Sequence, residues 1–116
     1  MVVAIQVGAV YSVCRAEGSF GVVKVVAFQP EERTVYARTF GPYFKERPAA
    51  EWFEQRDASD LDEELGVGIG VLPVTVRVFR FWEPEWLFSQ SVSEPEQEDL
   101  AYCFGLARPW DDLKYP

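Results

Sequence analysis

Two cysteines, a run of acidic residues and three alternating glycines are the features of this chain whose types could do chemistry, and histidine is absent. A general base working near neutral pH is most often a histidine, so proton transfer would fall to paired carboxylates. Nineteen Asp and Glu residues guarantee chance pairs, and chance pairs single out no site. A cysteine nucleophile needs a cationic neighbour to lower its pKa. Arg15 follows Cys14 directly, but successive residues on a strand point to opposite faces. Neither Cys14 nor Cys103 has a second Cys or a His at metal-binding or redox spacing, and both read as small buried hydrophobes. A disulfide between them is allowed but unsupported. The chemistry expected from these residues is therefore none: no enzyme, no metal and no cofactor.

Asp57, Asp60, Asp62, Glu63 and Glu64 form the densest charge cluster. Asp60, Asp62 and Glu64 have the alternation of a calcium loop, but Leu65 stands where that loop requires glycine. The cluster reads as a solvated loop or as a docking patch, since charges at an interface rim tune association rate and partner choice. Gly66, Gly68 and Gly70 lack the spacing and the following helix of a dinucleotide fingerprint; they read as a close backbone crossing or a connection. The net charge of -8 repels phosphate backbones and anionic lipid and attracts basic partners. It equally serves solubility. With 16% aromatic residues, the chain has ample material for a core or an interface. Trp82, Trp86 and Phe88, with Trp52, Trp110 and Tyr115, are the candidates, and two exposed neighbours among them would mark a binding face.

The elements that must position these residues are mostly strands. At 116 residues the chain is one domain. Met1 to Val10 is too short for a membrane span and lacks the basic start of a signal peptide, so a cytosolic, reducing location is expected. Val2 to Val7 is a first strand or the lead into one. Val10 to Cys14 is a strand with Val10, Ser12 and Cys14 on one face and Tyr11 and Val13 on the other. A turn at Ala16–Ser19 leads to Phe20–Gln29, whose only charge is Lys24; so apolar a run is covered on both faces. Pro30–Arg33 links it to a return strand, Thr34–Phe40. Pro48 opens a short helix through Arg56. Leu72–Trp82 reads either as a strand or as a short helix capped by Thr75, with the helix favoured by Pro73 and by the stop at Glu83–Pro84. Trp86–Phe88 is a further strand. Ser93–Phe104 is the clearest helix: Ser93 and Glu96 have capping-box spacing, Pro95 sits in the first turn and Gly105 ends it. Leu100, Cys103, Phe104 and Tyr102 supply its inner side. The aromatic tail, with Trp110, docks back on the body.

Gly8, Tyr11, Val13, Gly18, Phe20, Gly21, Val22, Lys24 and Val25 resemble the opening of small bacterial immunity proteins of polymorphic toxin systems, which often run G-D-x-[YF]-x-V, a Gly turn, then [YF]-G-x-x-[KR]-V. Ala9 stands where that pattern has an acid. Leu72–Pro73, Phe79, Trp82 and Pro84 are similar to the second half of related uncharacterised bacterial proteins. The resemblance implies a fold and a mode of action, the blocking of a partner toxin, and assigns no site.

The expected object is an α+β domain: a small, strongly curved antiparallel sheet of about five strands or an SH3-like barrel, with a C-terminal helix packed on it. Its expected function is protein binding, most concretely as an immunity protein that occludes a toxin with a basic surface, through Asp57, Asp60, Asp62, Glu63, Glu64, Trp52 and Trp110. Nucleic acid and membrane are not expected partners. The alternatives are an accessory or self-associating subunit, including a homodimer, and a ligand-binding or enzymatic domain with a cleft around Tyr11, Arg38 or Arg77.

Overall fold

The computed structural model describes residues 5–40, 43–53, 70–106 and 109–111, without the side chains of residues 52, 53 and 104–106. Its strands are β1 (Ala9–Cys14), β2 (Phe20–Gln29), β3 (Thr34–Thr39), β4 (Gly70–Thr75) and β5 (Glu85–Ser89). Its helices are α1 (Ala50–Phe53), α2 (Val76–Phe81) and α3 (Glu94–Leu106). The strands form one antiparallel sheet in the order β4-β3-β2-β1-β5. The first four run as a meander, and β5 returns to the far edge beside β1. β4 and β5 do not pair, so of the two forms expected the sheet is the open one.

The α+β architecture, the hairpin of β2 and β3 and the C-terminal helix follow the sequence expectations. The segment from Leu72 resolves both of its readings. It extends as part of β4 up to Thr75, then coils: the Thr75 hydroxyl accepts from the Val78 amide at 3.2 Å and starts α2. β-branched side chains suit the strand half, and the capping hydroxyl decides where it ends. Residues 5–8 form an irregular lead and a turn into β1, the second of the two readings for that stretch. Two expectations change. Gly105 does not end α3, which runs to Leu106. Tyr102 is 71% exposed and is not on the inner side of that helix.

Alternation along the strands fills both faces of the sheet. One face carries Ala9, Tyr11, Val13, Val23, Val25, Val35, Ala37 and Val74, roofed by Val76, Val78, Phe79 and Trp82 of α2 and its exit. Phe79 is the hub, with its ring edge-on to Tyr11 at 5.4 Å and to Trp82 at 6.0 Å. The other face carries Val10, Val22, Phe40 and Leu87, and next to them Val26, Tyr36 and Val71 under Val92, Leu100 and Cys103. Alternation puts Val25 and Val26 into opposite cores, and a bulge between Val25 and Ala27 keeps Ala27 on the same side as Val26. Gly8 is needed where β1 begins: its φ is 90°, and a Cβ there would stand 2.7 Å from the carbonyl oxygen of Gln90.

Candidate functional site

The expected acidic docking residues, Asp57, Asp60, Asp62, Glu63 and Glu64, lie outside the described residues. Trp52 falls in α1, and its side chain is likewise outside them. Trp110 is described: its main chain pairs with β4, and its indole is 52% exposed.

Of the residues expected to line a cleft, Tyr11 and Arg38 lie on opposite faces of the sheet. Tyr11 is in the α2-side core, where its hydroxyl accepts from the Gln6 amide at 3.3 Å and burial raises its pKa. Arg38 lies in a cross-strand row with Val10, Lys24 and Val71 on the other face. Lys24 is 1% exposed. Its ammonium donates to the Ser91 carbonyl at 2.7 Å and to Glu96 Oε1 at 2.8 Å. Arg38 donates to Glu96 Oε2 at 2.7 Å, and the Ser93 amide donates to Oε1 at 2.8 Å. Burial alone would raise the Glu96 carboxyl. The hydrogen bonds from Arg38, Lys24 and the Ser93 main chain outweigh it and hold the pKa down to about 2. Both carboxylate oxygens are thus engaged, and the capping box of α3 is also its anchor on the sheet.

A second polar node forms where residues 43–49 cross β1. The Arg47 guanidinium donates to Ser12 Oγ at 3.0 Å, to the Glu83 carbonyl at 3.1 Å and to Cys14 Sγ at 3.0 Å, and pairs with Glu85 at 3.5 Å. This is the cationic neighbour that Cys14 lacked in the sequence. Burial nevertheless pushes the Cys14 thiol up. Arg47 pulls against that, and Glu83, 3.5 Å away, adds to the rise. Cys14 is therefore a thiol at neutral pH and a poor nucleophile. Cys103 is raised too, by burial first and Asp99 second. Both cysteines are free, and both are half-buried.

The surface feature that remains is the corner between α2 and β5. Trp82 is fully buried and fixes the corner from within, while Phe81 and Trp86 on either side of it are 56% and 57% exposed. The backbone between them is tied down by hydrogen bonds. The Cys14 amide donates to the Trp82 carbonyl at 2.8 Å, the Glu83 amide to the Arg80 carbonyl at 3.0 Å, and Arg47 to the Glu83 carbonyl. Glu83 has φ 51°, a left-handed conformation that a side chain with a Cβ rarely adopts. Such conformations persist where surrounding contacts over-determine them, often at functional sites. The Trp86 indole donates to Ser89 Oγ at 3.1 Å. Two exposed rings and the exposed carboxylates of Glu83 and Glu85 thus stand on six consecutive, firmly held residues. The sequence had marked Trp82 and Trp86 as core or interface and had not singled out Phe81. It could not show that Trp82 turns in and Trp86 turns out.

Among the described residues, no three His, Cys, Asp or Glu side chains are grouped to hold a metal ion, and no helix is long and apolar enough to cross a membrane. No family model, curated protein or solved structure matches the chain.

Proposed function

We propose that this chain is a protein-binding module that blocks its partner by covering it, with the Phe81–Trp86 corner as its anchor. The observation that carries this reading is the pair of exposed rings, Phe81 and Trp86, on a backbone held rigid around a left-handed Glu83. Pre-ordered aromatic side chains lose little entropy on binding and dominate interface energetics. The acidic surplus of the chain would steer a basic partner. The resemblance of the first two strands to immunity proteins makes a toxin the most concrete partner, with steric occlusion as the mechanism.

The test is capture from the native host with wild type and with Phe81→Ser/Trp86→Ser. Both side chains are exposed, so the variant keeps its fold, which circular dichroism checks. The expected result is a basic protein retained by wild type, released by salt and inhibited in a stoichiometric complex. The double variant should lose at least about 2 kcal/mol of affinity, the scale of interface hot spots. Equal affinity of the two chains for the partner would remove the corner from the interface.

A further inference from the structure

The outer edge of β4 bears on a different question. In this strand the Pro73 carbonyl and the Thr75 amide face away from β3. Both are taken by the main chain of Trp110: its amide donates to the Pro73 carbonyl at 2.8 Å, and its carbonyl accepts from the Thr75 amide at 3.0 Å. The arrangement is a one-residue parallel bridge opposite Val74. The next residue, Asp111, supplies the side-chain anchor. Its Oδ1 accepts from the Thr75 hydroxyl at 2.9 Å and its Oδ2 lies 2.9 Å from Arg77 Nη2. These bonds, Thr75 first and Arg77 second, lower the Asp111 pKa. Arg77 and Asp111 are both exposed, and so are Pro109 and half of the Trp110 ring.

We propose that the edge of β4 at Pro73–Thr75, together with Arg77, is a docking notch for a short extended peptide segment bearing a carboxylate, and that Trp110 and Asp111 occupy it in cis. The occupant's chemistry is read from the contacts in place. Two main-chain hydrogen bonds accept any residue at the bridging position, and Thr75 with Arg77 reads a carboxylate at the following one. Strand addition to a sheet edge is a common mode of peptide recognition. A second copy's β4 fits less well, because Pro73 has no N–H at an outward position where a longer ladder needs a donor. The cis segment is held by main-chain bonds and exposed polar contacts, which a segment of equal chemistry reproduces in full. This inference concerns the opposite edge of the sheet from the Phe81–Trp86 corner and does not depend on it.

The test uses the full chain carrying Asp111→Lys, which sets a cation against Arg77 and frees the notch, and a fluorescent peptide with the sequence of residues 107–116. The variant should bind the peptide, and wild type at least about tenfold more weakly, since its own segment competes at an effective concentration on the order of millimolar. Adding Arg77→Ala to Asp111→Lys should abolish binding, and so should Asp111→Lys within the peptide. Should Asp111→Lys fail to give a native circular dichroism spectrum, Asp111→Asn takes its place. Equal binding to wild type and variant overturns the proposal, as does binding that survives Arg77→Ala. Self-association of the Asp111→Lys chain in sedimentation without peptide binding would also overturn it, and would make a second copy the occupant.

Discussion

The two faces of the sheet are closed by different physics. Under α2 the closure is hydrocarbon and ring: Phe79 and Trp82 are fully buried against Tyr11 and the valines of four strands. Each such side chain contributes roughly 1.5–3 kcal/mol by leaving water. Under α3 the closure is ionic at its centre: Glu96 reaches down to Lys24 and Arg38, flanked by partly buried Val92, Leu100 and Cys103. A buried ion pair gains little over an apolar pair of the same volume, because desolvation offsets the attraction. What it does provide is position. A hydrophobic contact tolerates a slide of an ångström, whereas Glu96 meets donors from β2, β3 and its own helix start at 2.7–2.8 Å in one placement. The α2 face makes the domain stable, and the α3 face makes the helix registered.

The largest effects test this division directly. Glu96→Ala takes the carboxylate from fully buried Lys24 and part-buried Arg38 and should cost about 3–5 kcal/mol; Phe79→Ala opens a cavity and should cost about the same. Urea denaturation will not distinguish them, but acid will. The Glu96 carboxyl is lowered from 4.5 to about 2 in the fold, so its contribution is complete above the unfolded value and is lost as the pH falls from about 4.5 towards 2. Wild type and Phe79→Ala should share that acid-dependent loss, and Glu96→Ala should lack it. An acid limb as steep in Glu96→Ala as in wild type would mean the ionic closure contributes nothing.

A medium effect comes from the two helix starts. Ser93→Ala and Thr75→Ala each remove a capping side chain and should each cost about 1 kcal/mol. Combined with Glu96→Ala, the Ser93 change should cost less than the sum, since both belong to one network, while the Thr75 change should add in full. Additivity in both cycles would dissolve the distinction between the faces. The smallest effect lies at the corner where the apolar face reaches the surface. Glu83→Gly relieves a left-handed backbone and should raise stability by about 1 kcal/mol, read from the urea midpoint. A loss instead would show that the carboxylate's contact with Cys14 outweighs the strain.

How much of this was legible in the sequence depends on the distance over which each feature is encoded. The β2–β3 hairpin, the helix at Ser93 with its capping box, and the Thr75 cap are local patterns, and each is found where the pattern placed it. Lys24 was visible only as a lone charge in an apolar strand; its carboxylate partner is 72 residues away, and no periodicity connects them. Arg47 and Cys14, 33 residues apart, were equally out of reach. The choice between strand and helix from Leu72 to Trp82 had no single answer, because one hydroxyl divides the segment. Burial of aromatics escaped for another reason: Trp82 and Trp86 have the same chemistry, and only the placement of α2 across the sheet turns one inward.

That crossing also has a cost during synthesis. The strand that completes the sheet is made last, so the outer edge of β1 waits unpaired until Ser89 is available to meet Ala9. The first four strands can zip locally, but the nascent meander leaves the ribosome with an open margin and without its Trp82 wedge. Exposed strand margins recruit other chains, so truncation before β5 should yield aggregates.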